Sequence, residues 1–364
     1  MKTVSRVHDR AEQRASRLRG ERLCQRRLLW LMADVSILRT VFTRLLPLCG
    51  NAVWWVAPVC LLPGIALLLA CSLLLRVVHA HSLNEAAAKL LGRAGSILLA
   101  AAVAVPLLLD AAAVLASLVG FFTEGIGTEG TYTTIAALTC GAAALCLERE
   151  GLPRAVWFLR RPMQLAAIIL AVNWLSCART DALFPLLGEG ESTVIAALRA
   201  GVSLGWPLIL PLLFEPVRSE RPGRLTLIVP VTSILAVMIL SSMACIPAIA
   251  VSGFDAVDGL LLPLSGLHAW VRLTGQCLMM VALFFALTGG ITTSSELLKA
   301  AVRLCRGRGL AYGLTAGLFA AQLIPAERLR AILAAAAPWQ IVPPALTALV
   351  LTAEALIRGE RRCG

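Results

Sequence analysis

Ser36, Arg39, Thr40 and Thr43 recur at helical spacing inside an otherwise apolar run, so they form one polar stripe along a helix. Hydroxyls beside a guanidinium suit the capture of an anion such as a substrate carboxylate, provided the stripe faces a bundle interior or a water-filled cavity. Arg39 would serve equally well as the partner of a neighbouring helix, and Arg44 as a side chain that snorkels to the outer surface. Asp110, four residues after Pro106, is the one acid near the middle of an apolar run. It fits either a proton or cation relay or an interhelical salt bridge. Asp34 lies on another face of the first run and fits pairing with local arginines.

A second candidate is the segment Gly201-Val-Ser-Leu-Gly205-Trp-Pro207-Leu-Ile-Leu-Pro211. Two glycines and two prolines this close together break or kink a helix. Freed backbone groups at such a break make ligands for substrates and ions, with Ser203 and Trp206 beside them. The alternative is a kink that neighbouring helices absorb. Gly289-Gly290, followed by Thr292, Thr293, Ser294 and Ser295, fits close helix packing as well as ion binding. His79, His81 and His268 have no evident partners in sequence. The eleven cysteines include no C-x-x-C pair and sit mostly in apolar runs, where they act as small hydrophobes. No Walker loop, G-x-S-x-G elbow or H-E-x-x-H is present, so no catalytic set, metal centre or cofactor is expected.

The elements that must position these residues follow from composition. Of 364 residues 59% are hydrophobic and only 15% are charged, and the mean hydropathy is +0.82. That apolar surplus must face lipid. A bilayer core needs about 20 apolar residues per helix, and the runs fall at 28–48, 53–77, 95–122, 131–147, 156–178, 194–214, 225–250, 270–292, 310–325 and 331–357. The expectation is an all-α integral membrane protein of about ten transmembrane helices.

Charge sets the expected orientation. Only Arg179, Arg272, Arg328 and Arg330 fall in loops assigned outside, and Arg39, Arg44 and Arg199 fall within runs. The rest of the 33 Lys and Arg lie on one side, as expected if both ends are cytoplasmic. The net charge of +12 is then inner-face charge attracted to anionic lipid, with no need of nucleic acid. Residues 1–27 form a basic cytoplasmic segment, 28–357 the transmembrane domain and 358–364 a short basic tail. The leading segment lacks a signal-peptide pattern. Between the second and third runs, Ser82-Leu-Asn-Glu85 reads as a capping box opening a short helix, with Glu85 and Lys89 paired at i,i+4.

Four segments carry a resemblance. "NAVWWVAPVCLLPGIALLLACSLLL" (51–75), "HSLNEAAAKLLGRAGSILLA" (81–100), "DALFPLLGEGESTVIAALRAG" (181–201) and "LHAWVRLTGQ" (267–276), in this order and spacing, resemble the spore-germination permease family. This is the B-type subunit of endospore germinant receptors, within the amino acid–polyamine–organocation (APC) transporter superfamily. The resemblance implies an APC/LeuT-like inverted-repeat fold with broken first and sixth helices. It also implies a spore inner-membrane location and partnership with the receptor's A and C subunits. The implied role is recognition of a small germinant, an amino acid foremost, in a cavity between the first, third, sixth and eighth helices. For that cavity the residues themselves offer Ser36, Arg39, Thr40, Thr43, Asp110, Gly201, Ser203, Gly205 and Trp206 as candidates. The chain departs from the family where Ser36 to Arg44 contains two arginines and no glycine. The alternatives are a secondary amino acid or polyamine transporter and a non-transporting membrane scaffold.

Overall fold

The computed structural model describes residues 28–126, 130–146, 165, 190–214, 228–240, 243, 269–302 and 309–363. Every element among them is helical. Five helical runs are long and apolar enough to cross a membrane, and three shorter apolar helices accompany them. The molecule is therefore an all-helical protein with the build of a membrane protein. The expected spans at 156–178 and 225–250 fall wholly or partly outside the described residues, as do the segment 1–27 and His268.

The first run, Leu28–Val77, holds two helices. Helix α1 (28–49) widens into a π-helical turn at Val41–Leu45 and ends with Leu46–Cys49. Pro47 lies in that last turn and cannot donate to the Thr43 carbonyl, so the regular ladder is already interrupted there. The interruption expected in the first span is thus a widened turn within a continuous helix. Gly50 (φ 48°, ψ −121°) then takes a backbone conformation that suits glycine, and α2 (Val53–Val77) begins after the short turn Gly50–Ala52. These bounds follow the apolar runs at 28–48 and 53–77 closely.

Helix α2 closes with a left-handed residue at His79 (φ 50°). The amide of Ala80 donates to the Leu75 carbonyl at 3.0 Å and that of His79 to Arg76 at 3.3 Å, the bond pair of a Schellman cap. Helix α3 (Leu83–Ile126) is two arms joined at Gly92 (φ 62°, ψ −139°). At the corner a side chain on Gly95 would overlap the Ala87 carbonyl. The leading arm, 83–91, starts with the expected Ser82 cap, the Glu85 amide donating to Ser82 Oγ at 3.1 Å. The Glu85 carboxylate, however, accepts from the His81 amide at 2.7 Å, one residue before the position a capping box uses. Lys89 pairs with Glu85 at 2.7 Å. Arg358 secures the arm's far end, donating to the carbonyls of Lys89 (3.2 Å) and Leu90 while its Nε holds Glu354 at 2.8 Å.

Acid is expected to loosen this arm. Lys89, and then the His81 amide, hold the Glu85 carboxyl below the usual glutamate range. The folded form gains from that charge above the ordinary carboxylate pKa, and the gain disappears as pH falls through the lowered value. Amide exchange over 83–91, corrected for intrinsic rates, should therefore accelerate in that acidic window. Ser82→Ala should accelerate it at neutral pH by the loss of a cap worth about 1 kcal/mol. Protection indifferent to both changes would mean that packing of Leu83, Ala86, Ala87 and Leu90 fixes the arm alone.

The remaining helices are α4 (Gly130–Leu145), α5 (Glu191–Gly201), α6 (Ile228–Leu240), α7 (Ala269–Val302), α8 (Gly309–Ala321), α9 (Ala326–Ala336) and α10 (Val342–Cys363). Helices α3 and α7 pack along each other and form the centre, with α10 against α3 and α2, and α8 beside α4. The expected tenth span, 331–357, is divided: α9 gives way at Pro338 to a 3₁₀ turn, Ala337–Ile341, before α10 starts. Pro343 and Pro344 sit in the first turn of α10, where a missing amide breaks no internal bond. Residues 358–363 extend α10 instead of forming a separate tail.

Candidate functional site

Helix α1 aims its polar stripe unevenly. Ser36 and Arg39 are buried, Thr40 and Arg44 half-buried, and Thr43 exposed. Both threonine hydroxyls donate back into their own helix, Thr40 to the Ser36 carbonyl and Thr43 to that of Arg39, each at 2.8 Å. The stripe's one strong interhelical contact is Arg39 Nη2 to Asp110 Oδ1 at 2.6 Å, joining α1 to the long arm of α3. Arg39 is 5% exposed and Asp110 9%. A pair this short and buried is charge-assisted, and each partner makes the other tolerable in an apolar interior.

The guanidinium is not fully used, since Arg39 Nε is buried without a hydrogen-bond partner among the described residues. Arg44 follows on the same helix, within the π turn. It lies close enough to Arg39 and Asp110 for the three charges to act on one another. Its Nη2 donates to the Leu333 carbonyl of α9 at 3.0 Å. Two cations thus share the field of one carboxylate, and among the described residues the second cation's hydrogen bond goes to a neutral carbonyl.

The glycine pair of α7 lets this assembly close. A methyl group on Gly289 would lie 2.7 Å from Met32 Sδ of α1, and one on Gly290 would lie 3.4 Å from Ala111 Cβ of α3. Helix α7 thus contacts both pair-bearing helices through Gly289 and Gly290, which is the close-packing reading of that sequence. Thr288 and Thr292 bond to their own helix's carbonyls. Ser294 Oγ is buried with no partner.

The sixth run is interrupted where its glycines and prolines stand. Helix α5 stops at Gly201, residues 202–205 turn, and Trp206–Leu212 continues as a 3₁₀ helix with Pro207 and Pro211 inside it. The bonds across the joint span three residues: Leu204 to Gly201 at 2.8 Å, Trp206 to Ser203 and Leu208 to Gly205, each at 3.1 Å. Ser203 (4% exposed) and Trp206 (1%) are buried. Gly201 meets Cys60 of α2 and Leu45 of α1, while Gly205 meets Gly64 and the Leu61 carbonyl. The joint is therefore seated on α2 and reaches α1 at Leu45, the residue after Arg44.

Of the residues singled out in sequence, Arg39 and Asp110 are brought into direct contact. Ser36, Thr40 and Thr43 share their helix, and Gly201, Ser203, Gly205 and Trp206 form a separate joint that adjoins α1. Sequence reading did not find Gly64, which the Gly201/Gly205 four-residue spacing hints at, because such spacing marks a close helix contact. Nor did it find the link from Tyr132 of α4 to Gln322 (3.2 Å), which in turn donates to the Ala112 carbonyl of α3 at 3.4 Å. The arrangement defines a helical membrane protein in which α1 carries a buried, under-coordinated guanidinium at Arg39 and meets an interrupted helix at Leu45. No protein-family model matches the chain, and no curated protein matches it.

Proposed function

We propose that the protein is a transporter-like sensor of the spore membrane, a germinant-receptor B subunit that recognises a small germinant and signals with A and C partner subunits. The reading adopts the APC-type inverted-repeat fold of about ten spans, with both ends cytoplasmic. The sequence resemblance over 51–75, 81–100, 181–201 and 267–276 supports it. The observation that carries it is the interruption at Gly201–Trp206, seated beside the first span where a buried arginine is only partly satisfied. Interrupted helices next to charged groups are how transporter-like folds hold small polar ligands. An amino acid's carboxylate suits the arginines of α1. Binding would shift an equilibrium between two states, and the partner subunits would read the shift.

One observation favours sensing, or a fixed scaffold, over transport. The Arg39–Asp110 pair joins α1 to α3 at 2.6 Å, and the sixth-run joint is pressed glycine to glycine on α2. Both contacts oppose the rocking that alternating access requires. Purified protein in vesicles should accordingly show no concentrative uptake of amino acids or polyamines under a proton or sodium gradient. Concentrative, gradient-driven uptake would replace the sensor reading with that of a secondary transporter.

A further inference from the structure

Arg44 stands between the buried pair and the surface. It belongs to the π turn of α1, is half-buried, and is close to Arg39 and Asp110. Its one described hydrogen-bond acceptor is the Leu333 carbonyl. That carbonyl already receives the Ala337 amide at the C-terminal end of α9. Helix α9 is short, has no side-chain cap at its first turn, and buries a single row, Leu329, Leu333 and then Ala337. A helix of eleven residues has little stability of its own and depends on what it docks against. Arg44 supplies part of that docking, as a cation at the negative end of a helix.

We propose that Arg44 and Arg39 form a carboxylate site and that α9 is its lid, latched by Arg44 until a carboxylate arrives. The inference rests on reading the first span as the ligand-facing one. Arg39 is committed to Asp110, whereas Arg44, repelled by Arg39 and attracted by the same Asp110, makes its one hydrogen bond among the described residues to a neutral carbonyl. A carboxylate offers Arg44 a charge-assisted, two-pronged bond that a carbonyl cannot match. It also balances the second cation, which Asp110 alone does not. Taking Arg44 from Leu333 removes the positive group from the end of α9, and the helix loosens from α1. Ligand arrival at the buried pair is thereby converted into movement of α9.

The test is hydrogen exchange of the full chain in lipid nanodiscs with acetate as probe, acetamide as its neutral counterpart, and chloride held constant. Acetate should speed exchange over 326–341 about tenfold, the equivalent of one lost charge-assisted bond, and acetamide should not. In Arg44→Gln the segment should exchange fast from the start and ignore acetate. Arg44→Lys, which keeps the charge but not the fork, should retain a weaker response and stands in if the glutamine variant does not fold. Exchange over 326–341 that is blind to acetate in the unaltered chain overturns the proposal, as does an equal acetate response in Arg44→Gln. No spore is involved, so a failed germination role with an intact acetate response would leave the site standing and remove only its context.

Discussion

Asp110→Ala is expected to lower thermal stability in detergent by roughly 3 kcal/mol, because it leaves Arg39 charged and buried without its carboxylate. The magnitude follows from the geometry. The pair is 2.6 Å apart, Arg39 is 5% exposed, and its Nε makes no hydrogen bond among the described residues. Arg39→Met in the same chain should recover most of the loss, since an apolar pair of similar volume does not need the compensation that a lone charge does. Melting curves of the two single variants and the double variant check this. Losses that simply add would mean that the two residues act independently and that the contact does not join α1 to α3.

Gly64→Ala and Gly205→Ala are each expected to cost about 3 kcal/mol or to prevent folding, at the upper end of what overpacking does. A side chain on Gly64 would overlap the backbone of Gly205, and one on Gly205 would sit 2.7 Å from Gly64 Cα and 2.8 Å from the Leu61 carbonyl. What must yield is backbone on both sides, not the end of a flexible side chain. Gly313→Ala in α8 is the control, since nothing lies within 4 Å of the added methyl there. It should be neutral or stabilising by up to about 1 kcal/mol, as alanine favours a helix. If all three variants melt alike, the joint at 201–206 is not held by the fit of α2 against it.

The chain's helices were largely legible because lipid imposes a simple rule on sequence. Val53–Val77 emerges with the bounds its apolar run gives, and Ser82 makes the cap bond to the Glu85 amide that their spacing implies. The interruption after Gly201 was legible for the same local reason, since glycine and proline act on their own neighbours. The bend at Gly92 was not, because Gly92 lies in the link before the third run and Gly95 at that run's start, and the sequence does not say which of them turns the chain. The split of the tenth run at Pro338 was overlooked because hydropathy is indifferent to a turn between two apolar pieces.

In the site, Arg39 and Asp110 stood out singly as charges in apolar runs, and pairing with a neighbouring helix was one of two open readings for each. Which helix supplies the partner depends on three-dimensional packing that periodicity does not carry. The same holds for Arg44 and Leu333, 289 residues apart, and for Gly64 and Gly205. The carbonyl of Leu333 is a backbone group, so no side-chain pattern announces it.

The most direct measurement is germination of spores lacking this gene, scored against amino acids, sugars and nucleosides. The receptor reading predicts loss of response to one germinant class, amino acids first, restored by the intact gene. Spores that germinate unchanged with every germinant, in a strain from which other receptors have also been removed, would contradict it.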